Sequence, residues 1–194
     1  LKLMIDWVAQ THQRLLQVLP INDSTSTHTW TDSYPYSCIS IFALHPQFCD
    51  LRQLPALKDK VEADRFEMLR EELLFKQEGK EVLATEDFKE FFKHTEHWLV
   101  PYAQYCYLRD KNGTCEFAKW KGHTQWNEAD RASLSNPQNK AFKDVAFFYY
   151  VQFVLDRQMR SAHDYARARG VILKGDIPIG VNRNGCDVWH EPEY

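Results

Sequence analysis

Apolar positions recur at helical spacing over residues 1–12, where Leu1, Met4, Ile5, Val8 and Ala9 fall at i, i+3, i+4, i+7 and i+8. That spacing predicts the end of an amphipathic helix. The pattern then changes: Leu15, Leu16, Val18, Leu19 and Ile21 form a short aliphatic run with Pro20 near its end, which predicts a strand over 15–21 buried on both faces. Residues 22–36 are rich in Asn, Asp, Ser, Thr and His and carry Trp30, Tyr34 and Tyr36. They predict a long polar loop leaving the C-terminal end of that strand, the position where ligands bind in α/β folds.

From about residue 61 the period is helical again, with Phe66, Leu69 and Leu73 on one face and Glu67, Arg70, Glu71 and Lys76 on the other. Thr85 is placed to cap a helix carrying Phe88, Phe91 and Phe92, and residues 98–109 continue the stripe with Tyr102, Tyr105, Cys106 and Leu108. Gly113 and the polar stretch 122–139 punctuate this block. Residues 141–169 contain neither Gly nor Pro and predict one long helix, closed by Gly170 in the left-handed conformation. A second buried strand then runs over 171–176. The order helix, strand, helical block, helix, strand predicts an α/β fold with a helical insertion.

Composition narrows the function classes. Hydrophobic residues at 44% and charged residues at 26% are ordinary for a globular chain. With 24 basic and 27 acidic side chains the net charge is −3, and no patch beyond Arg157, Arg160, Arg167 and Arg169 offers the footprint a phosphate backbone needs, so no nucleic-acid partner is expected. The longest uncharged apolar run, 145–155, is well short of the ~20 residues that span a bilayer, so no membrane partner is expected. Five cysteines without a CxxC pair predict reduced, packed thiols and a cytoplasmic protein. The chain begins inside an apolar-periodic stretch, shows no secretory signal and reads as a piece of something longer.

Most candidate motifs have a plainer reading. His94 and His97 lie three apart with no third ligand at local spacing, so no metal site is expected. Asn112-Gly113-Thr114 is a chance sequon in such a chain, and the aromatic run Phe147, Phe148, Tyr149, Tyr150 and Phe153 is core packing. Two places hold more chemistry. Asp32-Ser33-Tyr34-Pro35-Tyr36 combines ring faces, a carboxylate and hydroxyls in the loop beyond the first strand, a set that suits a sugar, with a tight turn as the competing reading. The 174–181 block, Lys174-Gly175-Asp176-Ile177-Pro178-Ile179-Gly180-Val181, puts a carboxylate at the end of the second strand between glycines that permit close approach.

These blocks, with Gln17-Val18-Leu19-Pro20, Phe42-Ala43-Leu44-His45-Pro46, Trp98-Leu99-Val100-Pro101-Tyr102-Ala103, Leu108-Arg109-Asp110 and Asp187-Val188-Trp189, resemble the amylomaltase or disproportionating-enzyme family of 4-α-glucanotransferases over essentially all 194 residues. The Ser-Tyr-Pro-Tyr and Phe-Ala-Leu-His-Pro forms look closest to the branch with the plant cytosolic disproportionating enzyme. The resemblance implies part of a (β/α)8 TIM barrel: residues 1–50 as a barrel portion with a substrate-face loop, 51–139 as a helical insertion subdomain, and 140–194 as a barrel helix, strand and following loop, the two strands being the second and third. It implies retaining transfer of α-1,4-glucan units among maltose, maltodextrins or a branched α-glucan, without a cofactor.

The family's nucleophile and acid/base lie on later strands, so no catalytic residue is expected here. Tyr36 matches the family tyrosine that packs against the sugar at the cleavage subsite, Asp32 and Ser33 are supporting loop groups, and Asp176 matches the aspartate that helps hold the donor sugar. Gly185 departs from the serine many members carry before the Asp187-Val188-Trp189 block. The segment alone is expected to be inactive and, with open strand edges, to self-associate. A stand-alone helical carbohydrate-binding or interaction module is the alternative.

Overall fold

The computed structural model of the chain describes residues 1–54 and 75–193. Helix α1 (Lys2–Gln10) leads into strand β1 (Leu15–Gln17) and a long loop with single 3-10 turns at Trp30–Ser33, Pro46–Phe48 and Leu51–Gln53. Then come α2 (Lys80–Leu83), α3 (Glu86–Asn112), α4 (Glu128–Leu134), α5 (Phe142–Ala168), strand β2 (Ile172–Lys174) and α6 (Cys186–His190). The predicted helical face of Phe66, Leu69 and Leu73 lies outside the described residues.

β1 and β2 are parallel neighbours in the register Leu15–Ile172, Leu16–Leu173 and Gln17–Lys174. Parallel pairing requires a crossover, and the helical block between them supplies it. Both strands are shorter than predicted and neither is buried on both faces. Leu16 and Leu173 pack on a small core of Ile5, Val8, Ala166 and Val171, whereas Leu15 and Ile172 are about half exposed. Helices α1 and α5 cover one side of the pair, and among the described residues nothing covers the other.

The larger core lies between the two 27-residue helices α3 and α5. Thr85 caps α3 as predicted, its hydroxyl accepting the Phe88 N–H at 3.3 Å. The sequence read as two helical stretches is one helix with Pro101 inside it. That proline removes one backbone donor, but Leu99, Val100, Pro101 and Tyr102 are all buried and tertiary packing holds the helix through it. Rings from both helices interlock, with Phe153 5.5 Å from Phe88 and 5.4 Å from Phe91, and Tyr149 5.3 Å from Phe92. The aromatic run of α5 is therefore core, as its period predicts.

Helix ends match their glycines. Gly170 has φ +66°, its N–H donates to Arg167 and the next N–H, of Val171, reaches back to Ala166, a pair of bonds that ends α5 in a Schellman turn with Val171 packed over Ala166. Gly113, also at φ +66°, ends α3 in the same way. The polar stretch 122–139 is not only punctuation: Asn127 accepts the Asp130 N–H at 2.9 Å and starts α4.

Candidate functional site

The loops that follow β1 and β2 are laced together along their lengths. Cys38 pairs with Val181 in a parallel bridge, and the Asn182 N–H donates to the Cys38 carbonyl at 2.9 Å. Further along, the Ile39 carbonyl accepts the Cys186 N–H at 2.7 Å and the Asp187 carboxylate accepts the Ile41 N–H at 2.8 Å. The Asn182 amide also donates to Ser26 Oγ at 2.8 Å. Two segments about 140 residues apart in sequence thus form one surface beyond the C-terminal ends of the strands.

On that surface the Tyr36 hydroxyl donates to Asp176 Oδ2 at 2.8 Å, while the other carboxylate oxygen accepts the Ile177 N–H at 3.0 Å. Both side chains are half-buried. The hydrogen bond to Asp176 is the main reason the Tyr36 hydroxyl holds its proton more tightly than usual. Tyr34 stands beside Tyr36 with ring centroids 5.8 Å apart, and Ile177 and Ile179 project nearby in sequence with 75% and 85% exposure. Exposed ring and aliphatic faces around a carboxylate and a phenol form a surface on which a polyol can stack and hydrogen-bond.

Asp32 and Ser33 are not brought to this pair. The Asp32 carboxylate is buried and turned into its own loop, accepting the Thr27 N–H at 3.1 and 3.0 Å and the Thr27 hydroxyl at 3.0 Å. The Ser33 hydroxyl donates to the Trp30 carbonyl within the same turn. Both residues shape the loop in this structure. The glycine reading divides as well: a side-chain carbon at Gly180 would overlap the Tyr36 carbonyl oxygen, whereas nothing lies within 4 Å of one at Gly175.

Several residues that hold the site were not singled out from sequence as site residues. Cys38 is fully buried against Gly180, and burial pushes its thiol up to about 11. Trp189 donates to the His123 carbonyl at 2.9 Å and packs on Tyr105 and Trp120, which anchors the second loop to α3. Trp189 could have been found from its place in the Asp187-Val188-Trp189 block, whereas Cys38 carried no such signal. His97 packs edge-on against Phe42 at 5.9 Å, and among the described residues no group of three or more His, Cys, Asp or Glu is arranged to hold a metal. No described helix is long and apolar enough to cross a membrane.

The family described as 4-alpha-glucanotransferase, glycoside hydrolase family 77, matches residues 1–194. The chain is similar to the 4-alpha-glucanotransferase DPE2 of Oryza sativa subsp. japonica, at 37% identity over 212 residues, covering 99% of this chain and 22% of the rice protein. It is similar to the 4-alpha-glucanotransferase of Chlamydia muridarum at 29% identity, covering 98% of this chain and 39% of that protein. Among solved structures it superposes on the amylomaltase of Streptococcus agalactiae in complex with acarbose, with a TM-score of 0.79 at 20% identity, over 98% of this chain and 41% of that one. The shared fold is that of a TIM-barrel family with much added helix. The chain spans less than half the length of each of these relatives.

Proposed function

Because the chain belongs to the 4-alpha-glucanotransferase family, we propose that it forms the substrate face of an enzyme that transfers α-1,4-glucan units between maltodextrins, or from them to glucose or a branched glucan. In this reading β1 and β2 are the second and third strands of the barrel. Residues 1–50 and 140–194 belong to the barrel, and 51–139 form the inserted helical subdomain. The observation that carries it is the Tyr36–Asp176 hydrogen bond, which joins the two loops leaving paired parallel strands. Acarbose, a maltodextrin-like compound, in the streptococcal relative supports a glucan as ligand.

The chemistry is a retaining double displacement. A carboxylate nucleophile supplied by later strands forms a glycosyl-enzyme, a carboxylic acid protonates the leaving oxygen, and a sugar hydroxyl resolves the intermediate. This chain contributes positioning. The Tyr36 ring packs on the sugar at the cleavage point, Asp176 accepts hydroxyls of the donor sugar, and Asp32 and Ser33 act indirectly by fixing the loop. No cofactor is required, and the buried thiols Cys38, Cys106 and Cys186 suit a cytoplasmic location. The 194-residue segment by itself is inactive and associates through its half-exposed strand pair.

The test is disproportionation of maltotriose, read as glucose release, by the full gene product and by residues 1–194 side by side. Transfer by the full product alone is the expected result. Transfer by the segment overturns the placement of the catalytic carboxylates, and silence from both overturns the glucan reading.

A further inference from the structure

We infer that Tyr102, inside the helix pair, is a positioning residue for the glucan site proposed above, acting through Asp23 and jointly with Gln152; this rests on that reading of the site. Tyr102, Asp23 and Gln152 are each 1–2% exposed, so every polar atom among them must find its partner within the protein.

Counting donors fixes the direction of each bond. The Gln152 oxygen accepts the Leu44 N–H at 2.9 Å, and its amide nitrogen donates to the Leu44 carbonyl at 2.8 Å and to the Tyr102 hydroxyl at 3.2 Å. Both amide protons are then used. Tyr102 accepts from Gln152, so its single proton goes to Asp23 Oδ2 at 2.7 Å. The other Asp23 oxygen accepts the Thr25 N–H at 2.9 Å and the Thr25 hydroxyl at 2.6 Å. One phenol on α3 therefore links an amide on α5 to a carboxylate at the root of the loop.

The main chain carries the constraint outward. The Asp23 N–H donates to the Ala43 carbonyl at 2.8 Å and its carbonyl accepts the Ile39 N–H at 2.7 Å. Asp23 and Gln152 thereby clamp both arms of the loop, at residues 23–25 and 39–44. Tyr36 lies between the clamps, three residues before Ile39, and its side chain makes the hydrogen bond to Asp176. A saturated buried network of this kind admits one arrangement and resists relaxation. Helices α3 and α5 thus set where Tyr36 meets the sugar, although the bonds of the Tyr36–Asp176 pair involve neither helix.

The test compares Tyr102→Phe with Val145→Ala in the full gene product, using maltotriose transfer and thermal melting. Val145 is fully buried in the same core and takes no part in the network. Tyr102→Phe is expected to raise KM about 10-fold with a smaller change in kcat, since a misplaced binding group loses substrate contacts first. Val145→Ala is expected to lower Tm without moving KM. If Tyr102→Phe does not fold, Thr25→Val removes one hydroxyl from the same carboxylate and is expected to shift KM in the same direction. An unchanged KM in the variant that folds, or a rise matched by Val145→Ala, overturns the inference. A silent wild type overturns the glucan reading itself and with it the role given to Tyr102, an outcome distinct from an active wild type with an unaffected variant.

Discussion

Gly180 lies flush against the backbone of Tyr36: a Cβ at Gly180 would overlap the Tyr36 carbonyl oxygen, and backbone cannot swing aside as a flexible side chain can. Gly180→Ala therefore separates the loop carrying Tyr36 from the segment carrying Asp176. Overpacking of this kind costs about 1–3 kcal/mol. The expected outcome is a lower Tm with weakened maltotriose transfer, measured beside Gly175→Ala, where the added carbon meets nothing within 4 Å and both quantities hold. Equal behaviour of the two variants would contradict the close-approach argument.

His45 makes stability depend on pH. It is 5% exposed, its Nδ1 accepts the Gln47 N–H at 3.2 Å, and among the described residues its Nε2 has no partner. Burial pushes its pKa below the ordinary 6.5, and the nearby Arg109 adds to this, while Asp23 and Asp32 pull the other way without reversing it. A depressed folded-state value means that the neutral ring is favoured by folding. Its stabilisation is present above the unfolded value and is lost as pH falls through the folded one. Tm should drop between neutral and mildly acidic pH, and His45→Gln should flatten part of that slope. His190, also depressed by burial, has the same sign, so the slope left in His45→Gln should fall further when His190→Gln is added.

Much of this architecture was legible because it is local. The caps at Thr85 and Gly170, the long apolar α5 and the alternation of strand and helix all follow from short-range chemistry. The strands were overcalled: an aliphatic run such as 15–21 carries the same signature whether two faces are covered or one, and here one face stays open at Leu15 and Ile172. Of the site, Tyr36 and Asp176 were readable as chemistry-bearing loop ends, and the structure brings them into contact. That Asp32 would spend its carboxylate on Thr27 was not readable, because only the closed turn decides which donors reach it. The network through Asp23, Tyr102 and Gln152 was equally hidden, since its partners lie 50 to 79 residues apart.

Gly185 departs from the serine many family members carry, and the backbone here explains why glycine is needed. A Cβ at this position would lie 2.9 Å from the carbonyl oxygens of Asn182 and Ile39 and 3.0 Å from Ile39 Cα. Serine is the better N-cap for α6 by only a few tenths of a kcal/mol. The overlap costs about 1–3 kcal/mol, so the steric effect wins. Gly185→Ser should lower Tm and raise amide exchange at Cys186, whose N–H is held by Ile39. A stabilised Gly185→Ser would show that the backbone gives way to the cap.

Arg109 is 2% exposed and holds two acceptors at once: its Nη1 donates to the Thr25 carbonyl at 2.7 Å and its Nε to Asp110 Oδ1 at 2.7 Å, an oxygen that His28 also reaches at 2.9 Å. Burial works to raise the Asp110 pKa, but the hydrogen bonds from His28 and Arg109 and the Arg109 charge outweigh it and hold the carboxyl below 3.8. A depressed carboxyl stabilises the fold above its unfolded value and ceases to as pH falls through the folded one. Arg109→Met leaves the buried Thr25 carbonyl without its donor, while Asp110 is 36% exposed and keeps His28, so it should cost about 1–3 kcal/mol. Arg109→Lys should recover only part of this, because one ammonium cannot present the two-pronged fork that both acceptors use. Urea midpoints at constant slope would rank the three proteins wild type, Lys, Met. A Lys variant equal to wild type would mean that the charge alone matters and the geometry of the fork does not.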